Sequence, residues 1–213
     1  MTDDLAPFGA EFWEERYRSQ PAIWSGRPNP QLVAEAEGLT PGSALDAGSG
    51  EGADAIWLSG RGWQVTAVDI SAVALERAAA QAGTLGADVA GRIRWTRADL
   101  TGWTPDEAAY DLVSAQFMHL PPEPRSRLFA RLAAAVAPGG VLLIVGHHPS
   151  DLETSVRRPP MPELFYTAEE IAAELDPQRW EIEVAAARPR PAKDAEEREV
   201  TVHDSVLRAR RLK

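Results

Sequence analysis

The chain of 213 residues is long enough for one well-packed domain and short for two. It has no cysteine, which excludes disulfides, thiolate metal sites and a cysteine nucleophile. A formal net charge of −10 argues against a nucleic-acid substrate, because gripping phosphates takes an excess of Lys and Arg.

The N-terminus, MTDDLAPFGAEFWEERYRSQ, has acids where a signal peptide needs bases, and it lacks an apolar core. No run of eighteen apolar residues occurs, so no membrane span is expected, and the cytoplasm is the expected compartment. EFWEERYRS pairs Phe12 with Arg16 and Trp13 with Tyr17 at helical spacing. PAIWSGRPNP then breaks any helix at Pro21, Pro28 and Pro30. QLVAEAEGL predicts a short helix ending at Gly38. Residues 1–42 thus form a helical preface, a candidate lid, to a single core over 43–213.

SALDAG is a short strand, and Ala53, Ile56, Trp57 and Gly60 then fall on one helix face. WQVTAVD is the second strand, after which Ser71 caps a helix bearing Leu75, Ala78, Ala79 and Ala82. RIRWTRAD and YDLVSAQFM are the third and fourth strands. Leu128, Leu132 and Val136 mark a helix closed by Pro138-Gly139-Gly140. VLLIVG is apolar throughout, as a strand covered on both faces should be. PSDLETSVRRPPMPELF shows no obvious element, and loops of this length are usually functional or disordered. WEIEVAAA alternates, with Trp180, Ile182 and Val184 on one face, and VTVHDSVLRA follows after a charged turn, RPRPAKDAEERE. Alternating strands and helices predict a parallel sheet, and two strands joined by a turn are antiparallel. The expected fold is therefore α/β, a mostly parallel sheet with an antiparallel hairpin at one end.

Gly48, Gly50 and Ala53 satisfy the dinucleotide pattern GxGxxG/A, and Asp69 ends the second strand where an acid can accept from ribose hydroxyls. The loop alone therefore leaves a nicotinamide dinucleotide open. Asp46, just before the glycines, would repel a pyrophosphate and suits a ligand carrying an ammonium and a sulfonium. Asp99 ends the third strand, placed to accept from an exocyclic adenine amine, with Leu100 beside the ring. No GxxxxGK[ST] is present, so a nucleoside triphosphate is disfavoured. AGSGEG is not the nucleophile elbow GxSxG, and the Ser49 hydroxyl is better placed to face a cofactor carboxylate.

LDAGSGEG, VTAVDIS, RADL, YDLVSAQFMHL and APGGVLLIVG, in this order and spacing, resemble the successive motifs of class I S-adenosylmethionine-dependent methyltransferases. The resemblance covers nearly the whole chain. WSGRPNPQLV is similar to the entry segment of small-molecule methyltransferases of the tellurite-resistance and thiopurine type. The resemblance implies a Rossmann-like seven-stranded sheet of order 3-2-1-4-5-7-6 with strand seven antiparallel. It implies S-adenosylmethionine as cofactor and a small molecule as methyl acceptor. It also implies that Asp46 and the backbone from Gly48 to Gly50 hold the methionine end, with Gln116 near it. Asp69 would take the ribose hydroxyls, Ile70 would lie against the adenine, Asp99 would bind its amine, and Leu100 would pack on the ring. Trp24 and Arg27 would close over the cofactor.

Ligands of such sheets bind outside the C-terminal strand ends, which puts Gln116, His119, Gly146, His147 and His148 near the acceptor. His119 is the candidate base if the acceptor must lose a proton, the plain alternative being an ordinary loop histidine. His147 and His148 point to opposite faces if extended, and HExxH is absent, so no metal is expected. His203 reads as structural. Met161, Phe165, Tyr166 and the pair Arg157-Arg158 are placed to line the acceptor pocket from a loop that acts as a lid with the N-terminal segment. Sulfur, selenium, tellurium, nitrogen and oxygen all remain open as the acceptor atom. The rival readings are a nicotinamide-dependent oxidoreductase and a cofactor-binding protein without turnover.

Overall fold

A computed structural model describes residues 9–213; the acidic start MTDDLAPF lies outside the described residues. Helix α1 (Ala10–Arg18) and α2 (Pro30–Ala36) precede the first strand, β1 (Ser43–Ala47). Then come α3 (Ala53–Gly60), β2 (Gln64–Asp69), α4 (Ala72–Thr84), the short α5 (Ala87–Ala90), β3 (Ile93–Arg97) and β4 (Tyr110–Gln116). Helix α6 (Pro122–Ala135), β5 (Val136–His147), α7 (Ala168–Ala172), β6 (Trp180–Lys193) and β7 (Glu199–Arg211) complete the chain. The strands form one sheet in the order β3-β2-β1-β4-β5-β7-β6. Neighbours from β3 to β5 are parallel, and β7 runs antiparallel to both β5 and β6. This is the order and the antiparallel strand that the motifs implied. No helix among the described residues is long and apolar enough to cross a membrane.

Both faces of the sheet are covered, as the apolar run of β5 required. Leu45, Val113, Leu142, Ile144 and Leu207 join one core, with Leu128 and Leu132 of α6. Their strand neighbours Ala44, Leu112, Leu143, Val145 and Val206 join the other, with Leu32, Ile56, Leu58 and Trp63. Each fully buried leucine contributes about 1.5–3 kcal/mol of transfer free energy.

Several boundaries depart from the sequence expectation. Pro30 does not break a helix but starts one: it is the first residue of α2, where its missing N–H is no loss, and the Asn29 side chain accepts from Gln31 N. Helix α3 buries Ala55, Ile56, Leu58 and Ser59 rather than the face that includes Trp57 and Gly60. On α4, Ser71 does cap the helix, but Ala79 is exposed. Helix α6 ends at Ala135, and Val136 already pairs with Tyr110, so Pro138-Gly139-Gly140 lies within an irregular first part of β5. Strand β6 runs on through RPRPAK to Lys193. It is the edge strand, so Pro189 and Pro191 cost no ladder bond on its free side. A bulge between Ile182 and Val184 breaks the expected alternation and leaves Ile182 41% exposed. The stretch after β5 is not structureless: it holds 3₁₀ turns at Pro149–Glu153 and Pro162–Leu164, then α7, which opens with a Thr167–Glu170 capping box.

Candidate active site

The glycine loop joins β1 to α3 at the C-terminal edge of the sheet, with Gly48, Gly50 and Gly52 all at positive φ. At Gly50 an added Cβ would lie 2.9 Å from Tyr17 Oη and 3.3 Å from Trp24 Nε1, so only glycine lets the N-terminal segment close onto the loop. At Gly52 it would lie 2.6 Å from the Trp95 ring and 2.7 Å from Ala78 Cβ, so glycine there permits α4 and β3 to pack against the turn. Most of the loop's own N–H groups are satisfied inside the protein. Gly48 N and Ser49 N donate to Val68 O at 2.8 and 3.0 Å, and Gly50 N donates to Asp69 Oδ2 at 2.8 Å. What the loop leaves free is side-chain chemistry: Asp46 Oδ2 and Ser49 Oγ are buried without a partner.

Three carboxyl groups gather here. Asp46, from the end of β1, is 2% exposed; burial raises its pKa well above the usual range, and Asp54 and Asp69 raise it further. Asp54, in the first turn of α3, accepts from Asn29 N at 2.6 Å, and burial pushes it up to about 6. Asp69, from the end of β2, is raised by burial, while its bonds from Ser71 N and Gly50 N oppose the shift. A buried carboxyl at the end of β1 that accepts from the Ala55 backbone but leaves Oδ2 without a partner is costly unless a ligand supplies a donor or a positive charge. Asp99 stands apart and exposed, closing a turn by accepting from Thr101 N and Oγ1 at 2.8 and 2.7 Å. Leu100 beside it is buried, and Ile70 after β2 is half-buried.

The N-terminal segment is tied down over this loop by residues that the sequence reading did not single out. Glu51 Oε2 accepts from Ile23 N and Trp24 N at 3.1 and 3.2 Å, and its other oxygen pairs with Arg77 at 3.0 Å. Arg77 also donates to Tyr17 O at 2.7 Å, and Trp24 Nε1 donates to Tyr17 Oη at 3.0 Å. Glu14 reaches across to the start of α4, accepting from Ala72 N at 2.9 Å and Ser71 Oγ at 3.1 Å. Trp24 is thereby brought to the glycine loop with half its surface exposed. The exposed Arg27 is not: among the described residues only its backbone N–H is engaged, by Ser25 Oγ. Tyr17 was visible only as a partner of Trp13. The signal for Glu51 and Asp54 was their place inside and just behind the glycine loop.

The ends of β4 and β5 carry a different set. Gln116 Nε2 donates to Ser114 Oγ at 2.8 Å, and its Oε1 is buried and unpartnered. Phe117 has φ 55°, an uncommon left-handed conformation for a bulky residue, directly where the strand meets the site. His119 and His147 stack with ring centroids 4.7 Å apart and an interplanar angle of 16°. Phe117 lies 4.6 Å from the His147 ring, and Phe165 lies 6.4 and 6.2 Å from the two imidazoles. Burial lowers the His119 pKa to about 4, with Arg158 and Arg125 adding to the fall, and burial followed by His119 lowers His147 further. His148 turns away, as expected for its alternation with His147, and shares Ser150 with His203. Of the predicted loop residues, Phe165 reaches the imidazoles. Tyr166 is core, packed so closely on Gly146 that a Cβ there would overlap its ring. Arg158 is held by the fully buried Asp151, which also accepts from His203 N at 2.8 Å. A cavity of about 260 Å³ lies on the opposite rim, among Ser43, Gln64, Thr66 and Arg92, and holds none of these residues.

A sheet of this order, with an acid–glycine loop–acid series at the ends of β1 and β2, defines the Rossmann-like fold of class I S-adenosylmethionine-dependent methyltransferases. Comparison with known proteins agrees. Residues 44–140 match the family model described as a methyltransferase domain. The chain is similar to the 2-heptyl-1-hydroxyquinolin-4(1H)-one methyltransferase of Mycobacteroides abscessus, with 27% identity over 156 residues, 68% of this chain and 66% of that one. That match falls just short of two thirds of the relative's length. The fold is similar to TehB from Haemophilus influenzae, with TM-score 0.70, 20% identity and coverage of 96% of this chain and 67% of that one. It is also similar to a structure from work on conversion of a disulfide bond into a thioacetal group during echinomycin biosynthesis, with TM-score 0.72, 24% identity and coverage of 95% and 91%. The chain thus has the fold of class I methyltransferases, enzymes whose cofactor is S-adenosylmethionine. The unpartnered Asp46, Ser49 and Gln116 atoms fit the polar methionine end of that molecule.

Proposed function

We propose that the protein methylates a small molecule, and that the site assembled around the glycine loop receives the cofactor while the aromatic cluster at β4 and β5 receives the acceptor. The carrying observation is the line of unpartnered buried atoms, Asp46 Oδ2, Ser49 Oγ, Gln116 Oε1 and His119 Nε2, along the C-terminal ends of β1 and β4. The cofactor, when bound, would supply an electrophilic sulfonium methyl carbon, open to in-line attack by an acceptor lone pair as the carbon–sulfur bond breaks with its electron pair going to sulfur.

Within this reading, Asp46 holds the ammonium of the methionine end, Ser49 and the Gly48–Gly50 loop face its carboxylate, and Gln116 lies beside them. Asp69 keeps lone pairs for the ribose hydroxyls. Ile70 and Leu100 flank the adenine, and Asp99 accepts from its amine. Trp24 and the exposed side chain of Arg27 cover the cofactor as part of a lid formed by the N-terminal segment, and the 149–165 loop covers the acceptor side. Alignment of acceptor and methyl group supplies about 7–11 kcal/mol of the barrier reduction. The relative from Mycobacteroides abscessus is named for a small hydroxylated quinolinone, which supports a small acceptor. A net charge of −10 supports one that is not nucleic acid, and a chain free of cysteine suits a reducing compartment, the cytoplasm.

A screen with methyl-labelled S-adenosylmethionine across thiol, phenol, amine and halide acceptors tests the reading. Label in at least one small product is the expected result. Cofactor binding with no transfer to any acceptor class would instead support a binding protein without turnover.

A further inference from the structure

We propose that the acceptor is a planar aromatic molecule bound through an ionised ring hydroxyl, its ring against the Phe117–His119–His147–Phe165 cluster and its oxygen held by imidazole N–H groups in the field of Arg125. The inference rests on the methyltransferase reading and extends it to the chemistry of the acceptor.

Shape comes first. Phe117, His119 and His147 are each only half-buried, at the ends of β4 and β5, and their rings meet at centroid distances of 4.6, 4.7 and 6.1 Å. A partly open wall of flat rings favours a flat partner, and offset aromatic pairs gain about 0.5–1.5 kcal/mol beyond the area they bury. Polarity comes second. His119 Nε2 and His147 Nδ1 are both buried and both lack a partner. Buried polar atoms are normally satisfied, so two orphans in adjacent rings call for a ligand atom that bonds them. An oxyanion is a strong acceptor for imidazole N–H, whereas sulfur is a weak one.

Charge comes third. The groups facing the pair are Arg158 and Asp151 after β5, Arg190 from β6 and Arg125 from α6. Arg158 is neutralised by Asp151 at 2.6 Å, and Arg190 by Asp204 at 2.9 Å. Arg125 is not paired in this way. It donates to Glu163 O at 2.9 Å and Leu120 O at 3.4 Å, lies 4.8 Å over the Tyr166 ring, and makes no ion pair among the described residues. Arg125 therefore acts on the His119 imidazole without an ion pair, its nearest acids being the exposed Glu170 of α7 and Glu174 just after it. Burial, with Arg158 and Arg125 adding to it, keeps His119 neutral and makes it a weak base. The acceptor proton is thus best lost to solvent, with the positive field holding the ionised form. In this arrangement His119 positions the oxygen and does not abstract its proton.

The test reads binding, not turnover. 4-Nitrophenol is titrated by absorbance over pH, free and bound to the protein saturated with S-adenosylhomocysteine. The bound phenol should ionise about one pH unit lower than the free one, so that phenolate binds about tenfold tighter than phenol. Arg125→Gln should abolish that shift and Arg125→Lys should keep it, while calorimetry shows S-adenosylhomocysteine affinity unchanged in both. 4-Nitrothiophenol should bind about tenfold more weakly than 4-nitrophenol when both are ionised. A bound phenol that keeps or raises its ionisation pH, a phenol that does not bind, or a thiophenol that binds as well overturns the inference even if Arg125→Gln fails to fold. In each of those cases S-adenosylhomocysteine still binds. Its failure to bind would instead remove the methyltransferase reading, and this inference with it.

Discussion

The two halves of the site lie on one sheet edge and are built from opposite chemistry. At the ends of β1 and β2, Asp46, Asp54 and Asp69 are crowded into the interior, and none of the three makes an ion pair among the described residues. At the ends of β4 and β5 there are stacked imidazoles and phenylalanines, with Arg125 of α6 over the neighbouring Tyr166 ring. Acids whose pKa values burial raises suit a positive ligand; imidazoles that burial keeps neutral suit an electron-rich hydrogen-bond acceptor. A sulfonium cofactor with an ammonium tail and an electron-rich acceptor are such a pair. The contrast makes the halves separable by experiment, because damage to one should leave the other's ligand alone.

The largest effects should come from glycines that hold each half in place. Gly52→Ala sets a methyl group against Trp95 and Ala78 at a φ of +81°. Overpacking and a left-handed alanine together should cost about 3 kcal/mol of stability, seen as a lower Tm, and should remove S-adenosylhomocysteine binding. Gly146→Ala displaces Tyr166 at the other half and should weaken phenol binding while sparing S-adenosylhomocysteine. Loss of both ligands in Gly146→Ala would erase the distinction between the halves.

Asp46→Asn should be next. Losing a charged contact to the cofactor's ammonium should weaken S-adenosylhomocysteine by about 2 kcal/mol, roughly thirtyfold. The same change removes a buried carboxyl that resists ionisation, so the ligand-free variant should melt above the parent at neutral pH. His119→Gln should leave S-adenosylhomocysteine affinity unaltered. Equal affinity in Asp46→Asn and the parent would show that the acid end is not the cofactor end.

A smaller effect is the pH dependence of Asp54, whose folded pKa of about 6 lies above its unfolded value. Stability from this group is present below about pH 4 and is lost as pH rises through about 6. Asp54→Asn and the parent should therefore melt alike near pH 4 and diverge by pH 7, with the variant the more stable. The smallest effect belongs to the N-terminal cover. Arg77→Ala cuts the ties to Glu51 and Tyr17 and should cost about 1 kcal/mol. Limited proteolysis should then cut residues 19–28 several-fold faster, and S-adenosylhomocysteine should slow that cut in the parent. An absence of protection in both 19–28 and 149–165 would end the lid proposal.

What the chain revealed in advance was whatever it encodes locally. Asp46, the three glycines and Asp69 lie within one strand–turn–helix–strand unit, and the unbroken apolar run VLLIVG marked a strand covered on both faces. Strand order followed from the ordered motifs. RPRPAK was hidden because proline usually signals a turn, and only its place at the sheet edge allows it in β6. Ile182 was misplaced because a one-residue bulge flips the alternation that the sequence displays. Tyr17 over Gly50, Asn29 on Asp54 and the stack of His119 on His147 join segments 25 or more residues apart, and no local pattern announces such contacts. The acid half was therefore largely legible, whereas the aromatic half emerged only once β4 and β5 stood side by side.

Calorimetric titration of S-adenosylhomocysteine into the protein, in two buffers of different ionisation enthalpy, tests the acid half directly. The expected result is binding at micromolar Kd with net release of protons, because burial raises the Asp46 pKa and an arriving ammonium lowers it. No heat at tens of micromolar protein in either buffer, or binding with net proton uptake, would contradict the assignment of Asp46 and the glycine loop to the cofactor.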